Sequence, residues 1–306
     1  MEVVRGLYNI KDSHFGSVIT IGNFDGVHLG HQAIIRQLKA KAEHHKLPCT
    51  VMTFEPHPEE FFSRAHDGTR LTPFREKLEL LKHYRVDRVV CLHFNQKLAD
   101  LTADQFIESI LVKGLGCKHV VIGDDFRFGK GRQGDFQHLV EAGRKLDFDV
   151  ENTATLTMEE ERISSTRIRE ALNLSKLKLA EKLLGHPYLI SGVVQHGDKR
   201  GRTIGFPTAN IGLKQQIAPP NGVYAVRISG LDKDYIGVAN IGQRPTVDGS
   251  KYLLEVHIFN FNQDIYRKKV KIHLIEFIRP EQKFDGLDAL TTQIHKDCET
   301  AKSILK

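Results

Sequence analysis

At 306 residues, with 40% hydrophobic and 27% charged side chains, the chain has room for two ordinary domains and the composition of a soluble globular protein. A net charge of +6 and a pI near 9.0 suit an anionic partner, but the basic residues are dispersed and RNP-like aromatic motifs are absent, so phosphorylated small molecules are favoured over nucleic acid. No run approaches the ~18 apolar residues of a membrane span, the opening MEVVRGLYN lacks a signal-peptide pattern, and the four cysteines lack CxxC spacing; a cytoplasmic protein without a disulfide or zinc framework is expected, with homo-oligomerisation left open.

Buried strands are predicted at 18–21, 49–54, 88–93 and 118–122, alternating with helices at 31–45, 74–83, 103–113 and 135–145. That alternation describes a parallel sheet covered on both faces. The stretch 166–184 continues as helix, with Leu172, Leu179, Ala180, Leu183 and Leu184 inward, and Gly185 followed by Pro187 stops it. The domain boundary is placed there, giving domains 1–184 and 185–306. Strand-like segments then follow at 188–195, 222–229, 235–241, 252–259 and 269–278, separated by Gly, Pro, Asn and Asp turns. A last helix is predicted over 286–304, with Leu287, Leu290, Ile294 and Cys298 inward, so the second half reads as a small antiparallel barrel closed by a helix.

The most informative segment is GNFDGVHLGHQAI, residues 22–34. A strand, a Gly-rich turn and then two histidines three apart at a helix start make an anion site, because the first turn has unpaired N–H groups and a positive dipole end. His28 and His31 share one face, and Gly30 lets a nucleotide approach the backbone. The chemistry suggested is adenylyl transfer, with imidazoles stabilising triphosphate charge. The bland alternative is two surface histidines.

ISSTRIREAL, residues 163–172, offers Ser164, Ser165 and Thr166 as hydroxyls and Arg167 and Arg169 as cationic forks, or only an N-cap and a surface helix. GxGxxG at 129–134 falls too late in the domain to be a dinucleotide fingerprint and reads as a flexible glycine loop over a ligand. In the second half, HGDKRGRTIGFPTANI (196–211) is rich in Gly and Arg, with Thr208 and Asn210 as hard oxygens suited to Mg²⁺. Gly197, Gly201 and Gly205 permit close approach, while Lys199, Arg200 and Arg202 can neutralise phosphates; no Walker A sequence occurs. In YLLEVHIF, alternation sets Glu255 and His257 on the face opposite Leu254, Val256 and Ile258, where Glu255 is either a general base or a solvated glutamate.

HxGH followed by ISSTxxR resembles the nucleotidyltransferase superfamily, with its Rossmann-like α/β fold. FEPHP (54–58) and GDDFRFGKGRQGDF (123–136) narrow the resemblance to the bacterial bifunctional riboflavin kinase/FMN adenylyltransferase family, the FAD synthetases. The resemblance implies an adenylyltransferase ATP site at Gly22, Phe24, Asp25, Gly26, His28, His31, Asp125, Ser164, Ser165, Thr166, Arg167 and Arg169. It implies a flavin site at Phe54, Pro56, His57, Pro58, Phe126 and Phe128, although each phenylalanine taken singly can equally be core.

PTAN, GVANIGQRPT (237–246), LEVHIF and IRPEQKF (278–284) resemble the riboflavin kinase module. This implies ATP contacts at Gly197, Arg200, Gly201, Arg202, Gly205, Thr208 and Asn210, metal at Thr208 and Asn210, flavin at Arg244 and Thr246, and Glu255 as the base toward the riboflavin 5′-hydroxyl. The family implies riboflavin, FMN, FAD and ATP as ligands and Mg²⁺ as cofactor. Rival readings are a monofunctional adenylyltransferase with a flavin-binding barrel, and a flavin- or RNA-binding regulator. Asn260 and Arg267 stand where the family commonly has aspartate and glycine, in turn-like positions.

Overall fold

The computed structural model describes residues 1–63, 70–197, 201, 204–213, 219–246 and 249–306, with side chains described outside 243–252. Two compact units result: the described residues among 1–66 and 74–164 form one, and those among 67–73 and 165–306 the other.

The first unit is a six-stranded sheet flanked by helices. Its strands are β1 (Glu2–Arg5), β2 (Ser17–Ile21), β3 (Cys49–Glu55), β4 (Arg88–His93), β5 (Cys117–Gly123) and β6 (Asp149–Thr153). All pair in parallel, in the order β1-β4-β3-β2-β5-β6. The helices are α1 (Leu29–His45), α2 (Pro58–Ser63), α3 (Phe74–His83), α4 (Gln96–Ala99), α5 (Ala103–Phe106, continued by a π-helical stretch Ile107–Val112) and α6 (Phe136–Leu146).

The strands read as apolar runs because both faces are covered. Ile19, Ile21, Met52, Phe54, Val90, Leu92, Val120 and Ile122 pack on one side against Phe106, Ile107, Ile110 and Leu139. Their neighbours Val18, Val51, Val89 and Val121 turn to the other side, onto Ile35, Leu38, Ala42 and Leu81 of α1 and α3. The chain winds outward from β2 to β4, then returns to place β5 beside β2. The crevice at the carboxyl ends of β2 and β5 is therefore a switch point, where open α/β sheets bind ligands. A short ribbon of β7 (Thr157–Met158) and β8 (Glu161–Arg162) closes this unit.

In the second unit, α7 (Ser165–Asn173) and α8 (Leu177–Leu184) precede a closed barrel of β9 (Leu189–Gln195), β10 (Ala209–Gly212), β11 (Gly222–Ser229), β12 (Tyr235–Thr246), β13 (Gly249–Ile258) and β14 (Lys269–Pro280). The order is β10-β13-β12-β11-β14-β9, with antiparallel β9–β10 pairing closing the ring. On β11, Tyr224, Val226 and Ile228 alternate with Val223 and Ala225, and the latter pair packs with Cys298, Ala301 and Leu305 of the C-terminal helix, Leu287–Leu305. Closure removes sheet edges.

Several expectations are corrected. The single helix over 166–184 is two helices, broken where Ser175 takes φ 55°. β10 falls inside the PTANI segment, where no strand was predicted. Leu287 is 66% exposed rather than inward, while Asp297 is buried beside Cys298. The glycine loop at 129–134 is pinned rather than loose: Phe128 and Gly134 exchange backbone hydrogen bonds of 3.0 and 2.9 Å, and the N–H of Lys130 donates to the Leu101 carbonyl at 2.7 Å. Gly185, with φ 72°, does cap α8. Asn260 and Arg267 both adopt left-handed backbone, φ 53° and 65°, a region Asn tolerates better than Arg. All four cysteines are buried and free, and burial pushes the Cys49 and Cys117 thiols up to about 12 and that of Cys298 to about 11.

Candidate active sites

β2 ends at Ile21, and the chain turns sharply into α1 through Phe24 (φ 49°), Gly26 (φ 81°) and Val27 (φ 41°). A β-branched residue at positive φ is held there only by its surroundings, and Val27 is fully buried. The Gln32 side chain helps, its Nε2 donating to the Val27 carbonyl at 2.9 Å. The turn delivers His28 as N-cap of α1, its Nδ1 accepting from the His31 N–H at 3.4 Å. The two imidazoles stack, with centroids 3.7 Å apart and planes 20° apart, and Phe24 lies 4.8 Å from His31. Phe24, 1% exposed, is thus core beneath the histidines, and Asp25 is also buried.

His31 Nδ1 is enclosed and has no hydrogen-bond partner among the described residues. Burial, then the neighbouring His28, Lys77 and Arg162, holds its pKa well below the usual histidine value. His31 is therefore neutral at pH 7, able to donate from a ring N–H to a phosphate oxygen. An unfolded histidine takes up a proton below about pH 6.5. Between that value and the lower folded pKa the unfolded chain binds more protons, so stability falls with acid across that window. Denaturation midpoints of the parent should fall more steeply from pH 7 to 5 than those of His31→Gln; parallel slopes would contradict this reading.

Gly30 sits against the His28 ring, where an added Cβ would lie 3.1 Å from Cε1 and 3.2 Å from Nδ1. Gly30→Ala favours the helix by up to about 1 kcal/mol, yet displaces the ring. If the chain carries the adenylyl transfer that the resemblance implies, FAD formation from FMN should drop about 10-fold or more with no loss of thermal stability in a melting curve.

Next to this turn, β3 runs into FEPHP. His57 and Glu60 are buried, and the His57 N–H donates to Glu60 Oε2 at 3.0 Å. Lys77 Nζ lies 2.8 Å from His57 Nε2 and is wholly buried. The sequence reading missed Lys77, although its position announces it: a lysine on the apolar stripe Phe74, Lys77, Leu78, Leu81 of α3 is not solvated. Also missed was an aromatic patch in which Phe94 packs edge-on against Phe54, Phe61 and Phe62 at 5.4–5.8 Å, with Phe62 65% exposed. Phe54 and Phe128 belong to the core, and Phe126 is half-buried, stacked on Phe128 at 5.6 Å. Pro56 and Pro58 flank His57 where β3 passes into α2. Asp125, exposed at the end of β5, pairs with Arg162 at 2.6 Å.

Gly22 stands at the start of the turn, its N–H donating to the Met52 carbonyl at 3.1 Å. Ser164 belongs to the first unit, whereas Ser165, Thr166, Arg167 and Arg169 begin α7 in the second.

In the barrel, register does what sequence distance hides. Glu255 on β13 is the cross-strand partner of Asn210 on β10 and of Asn240 on β12, so three polar residues form one row. Leu254 and Val256 point to the opposite, buried face. Asn240 Nδ2 donates to Glu281 Oε1 at 3.0 Å, which ties the row to the segment after β14. Gly197 lies against the Asn210 amide, where an added Cβ would be 2.4 Å from Nδ2. Gly201 is equally constrained, at 2.3 Å from the Phe206 carbonyl, and Gly205 takes φ 87°. Asn210 is 7% exposed, and its Oδ1 has no hydrogen-bond partner among the described residues. A buried hard oxygen lacking a donor, with half-buried Thr208 two residues away, suits a magnesium ion. Arg200 and Arg202, like Lys199, lie outside the described residues, as do the side chains of Arg244 and Thr246.

Comparison with known proteins matches a separate family model to each half of the chain. A family model described as FAD synthetase matches residues 10–167, and one described as riboflavin kinase matches residues 184–305. The bifunctional riboflavin kinase/FMN adenylyltransferase of Escherichia coli K12 is 49% identical over 304 residues, covering 99% of this chain and 97% of that protein. The Haemophilus influenzae protein of the same name is 48% identical, covering 99% of each. A crystal structure named as a macrolide-efflux protein from Streptococcus pneumoniae aligns over 99% of both chains with a TM-score of 0.86 at 34% identity. Its name speaks of efflux, whereas no helix among the residues described here is long and apolar enough to cross a membrane. With both family models matched in order and near-half identity along its whole length, the chain belongs to the bifunctional riboflavin kinase/FMN adenylyltransferase family.

Proposed function

We propose that the chain makes FAD from riboflavin in two steps, with residues 1–184 serving the adenylyl transfer and 185–306 the phosphorylation. The observation that carries this reading is that the two motif sets fall on different folds, each where that fold can hold a nucleotide: His28 and His31 at the sheet's switch point, Glu255 in a polar row of the barrel.

In the barrel, Glu255 takes the proton of the riboflavin 5′-hydroxyl as its oxygen attacks the γ-phosphorus of ATP, and ADP leaves, giving FMN. Thr208 and Asn210 would hold Mg²⁺, which neutralises phosphate charge when bound. Gly197 leaves room for the Asn210 amide and Gly201 for the Phe206 carbonyl, and Arg200 and Arg202 contribute charge, with Arg244 and Thr246 toward the flavin.

In the sheet domain, an FMN phosphate oxygen attacks the α-phosphorus of a second ATP and pyrophosphate leaves, giving FAD. His28, His31 and the N–H groups of the first turn of α1 stabilise the developing charge, with Ser164 as a further phosphate ligand. The flavin occupies the side of Pro56, His57 and Phe126, beside the exposed Phe62. A cytoplasmic location fits substrates whose phosphate charges keep them from crossing membranes unaided.

The deciding experiment is a chromatographic time course with riboflavin, ATP and Mg²⁺. FMN rising first and FAD following is expected. FAD formed only from supplied FMN would make the barrel a binding domain, and no product from folded protein would sink both activities.

A further inference from the structure

Far from the switch point, at the amino-terminal edge of the parallel sheet, three potential metal ligands converge. His45 ends α1, His119 is the third residue of β5, and Asp149 opens β6 directly opposite His119 in the strand register. One ligand atom from each lies within 4.8 Å of the others. The His45 and His119 rings are 5.3 Å apart. His119 Nδ1 is 3.9 Å from Asp149 Oδ2, too long for a hydrogen bond.

His119 is the second, independent observation. It is 3% exposed, and neither of its ring nitrogens has a hydrogen-bond partner among the described residues. Buried polar groups are nearly always paired, and an imidazole with both nitrogens orphaned is an exception that asks for a missing partner. Nε2 faces Glu151 at 3.9 Å, but that carboxylate is already engaged by Lys41 and by Gln37 Nε2, the latter at 3.0 Å. Glu151 is thus left as a fixed anion beside the cluster rather than a ligand.

We propose that His45, His119 and Asp149 bind one divalent cation of the zinc class. Two imidazoles and a carboxylate are a donor set that Zn²⁺ and Co²⁺ accept with water in the fourth position, whereas Mg²⁺ prefers an all-oxygen shell. The ion clips the carboxyl end of α1 to β5 and β6. The role is structural: the opposite end of α1 carries His28 and His31, so the clip steadies the helix that presents them without touching substrate.

The test uses chelator-treated full-length protein and the metal alone, without nucleotide or flavin. Titration with Co²⁺ should give visible bands of a tetrahedral centre saturating at one equivalent, and Zn²⁺ should displace it while millimolar Mg²⁺ does not. Half-exposed His45 and exposed Asp149 can be changed without opening the core, so His45→Ala and Asp149→Asn should each weaken Zn²⁺ binding at least about 10-fold. The rise in melting temperature given by Zn²⁺ should vanish with them. His119→Phe, which keeps the ring, should abolish the Co²⁺ bands. Absence of the tetrahedral bands in the parent, or equal binding by parent and the His45→Ala/Asp149→Asn double variant, would overturn the proposal, assigning any bound ion to other histidines.

Discussion

Glu255→Ala is expected to lower riboflavin phosphorylation by about 10²–10⁴-fold, the usual contribution of a positioned general base, while conversion of supplied FMN to FAD continues at the parent rate. The argument is positional. Alternation along β13 turns Glu255 away from the barrel core, and pairing on both sides sets it between Asn210 and Asn240. Buried Asn210 presents beside it an oxygen with no hydrogen-bond partner among the described residues, the atom at which we propose the cation binds. Glu255→Gln should behave like alanine, because the amide keeps the shape and loses the base.

His28→Ala is the reciprocal experiment. It removes the N-cap of α1 and the stacking partner of His31 together. FAD formation should be abolished and FMN formation from riboflavin left largely intact. Separate assays of both reactions in each variant, with folding checked by circular dichroism, decide the matter. Loss of both activities in either folded variant would refute the two-site reading.

The second large effect is on stability. Arg279 on β14 and Asp297 on the C-terminal helix make a bidentate pair, with Nε to Oδ1 at 2.9 Å and Nη2 to Oδ2 at 2.7 Å. Asp297 is 4% exposed and also accepts from Gln293 Nε2 at 2.9 Å. The pair anchors the helix that covers Val223, Ala225 and Val238. Asp297→Ala leaves a guanidinium largely enclosed without its carboxylate, a change that costs about 3 kcal/mol in comparable buried pairs. The temperature at which a heat step halves kinase activity should fall by roughly 10 °C, with adenylyl transfer much less affected. Replacing both partners, as Arg279→Met with Asp297→Leu, should cost less than Asp297→Ala alone, because no unpaired charge remains. A double variant as unstable as the sum of the singles would mean that the residues act independently.

Legibility followed the range of the interactions. HLGH is readable because strand, turn, N-cap and helix are contiguous, and the anion-binding property is local to that turn. The same holds for the switch from apolar β/α alternation to half-buried strands near residue 188, which distinguishes a parallel sheet from an antiparallel barrel. Glu255's orientation was legible for the same reason, since a period of two fixes the face.

Strands without such a signature were missed. β1 and β6 lie at the sheet edges, and β6, DVENT, has no continuous apolar run because little covers it. β10 has only four residues and is a strand by virtue of its partners β9 and β13.

The contacts found only in three dimensions share one property: each joins partners remote in sequence. Lys77 meets His57 across 20 residues, Arg279 meets Asp297 across 18, and Asn210, Glu255 and Asn240 meet through register. The sequence by itself determined the two fold types, the anion-binding turn and the carboxylate's face, all of which follow from spacing within a few residues. Only the tertiary structure decided which polar groups are buried together, because desolvation and hydrogen-bond pairing depend on what packing brings alongside.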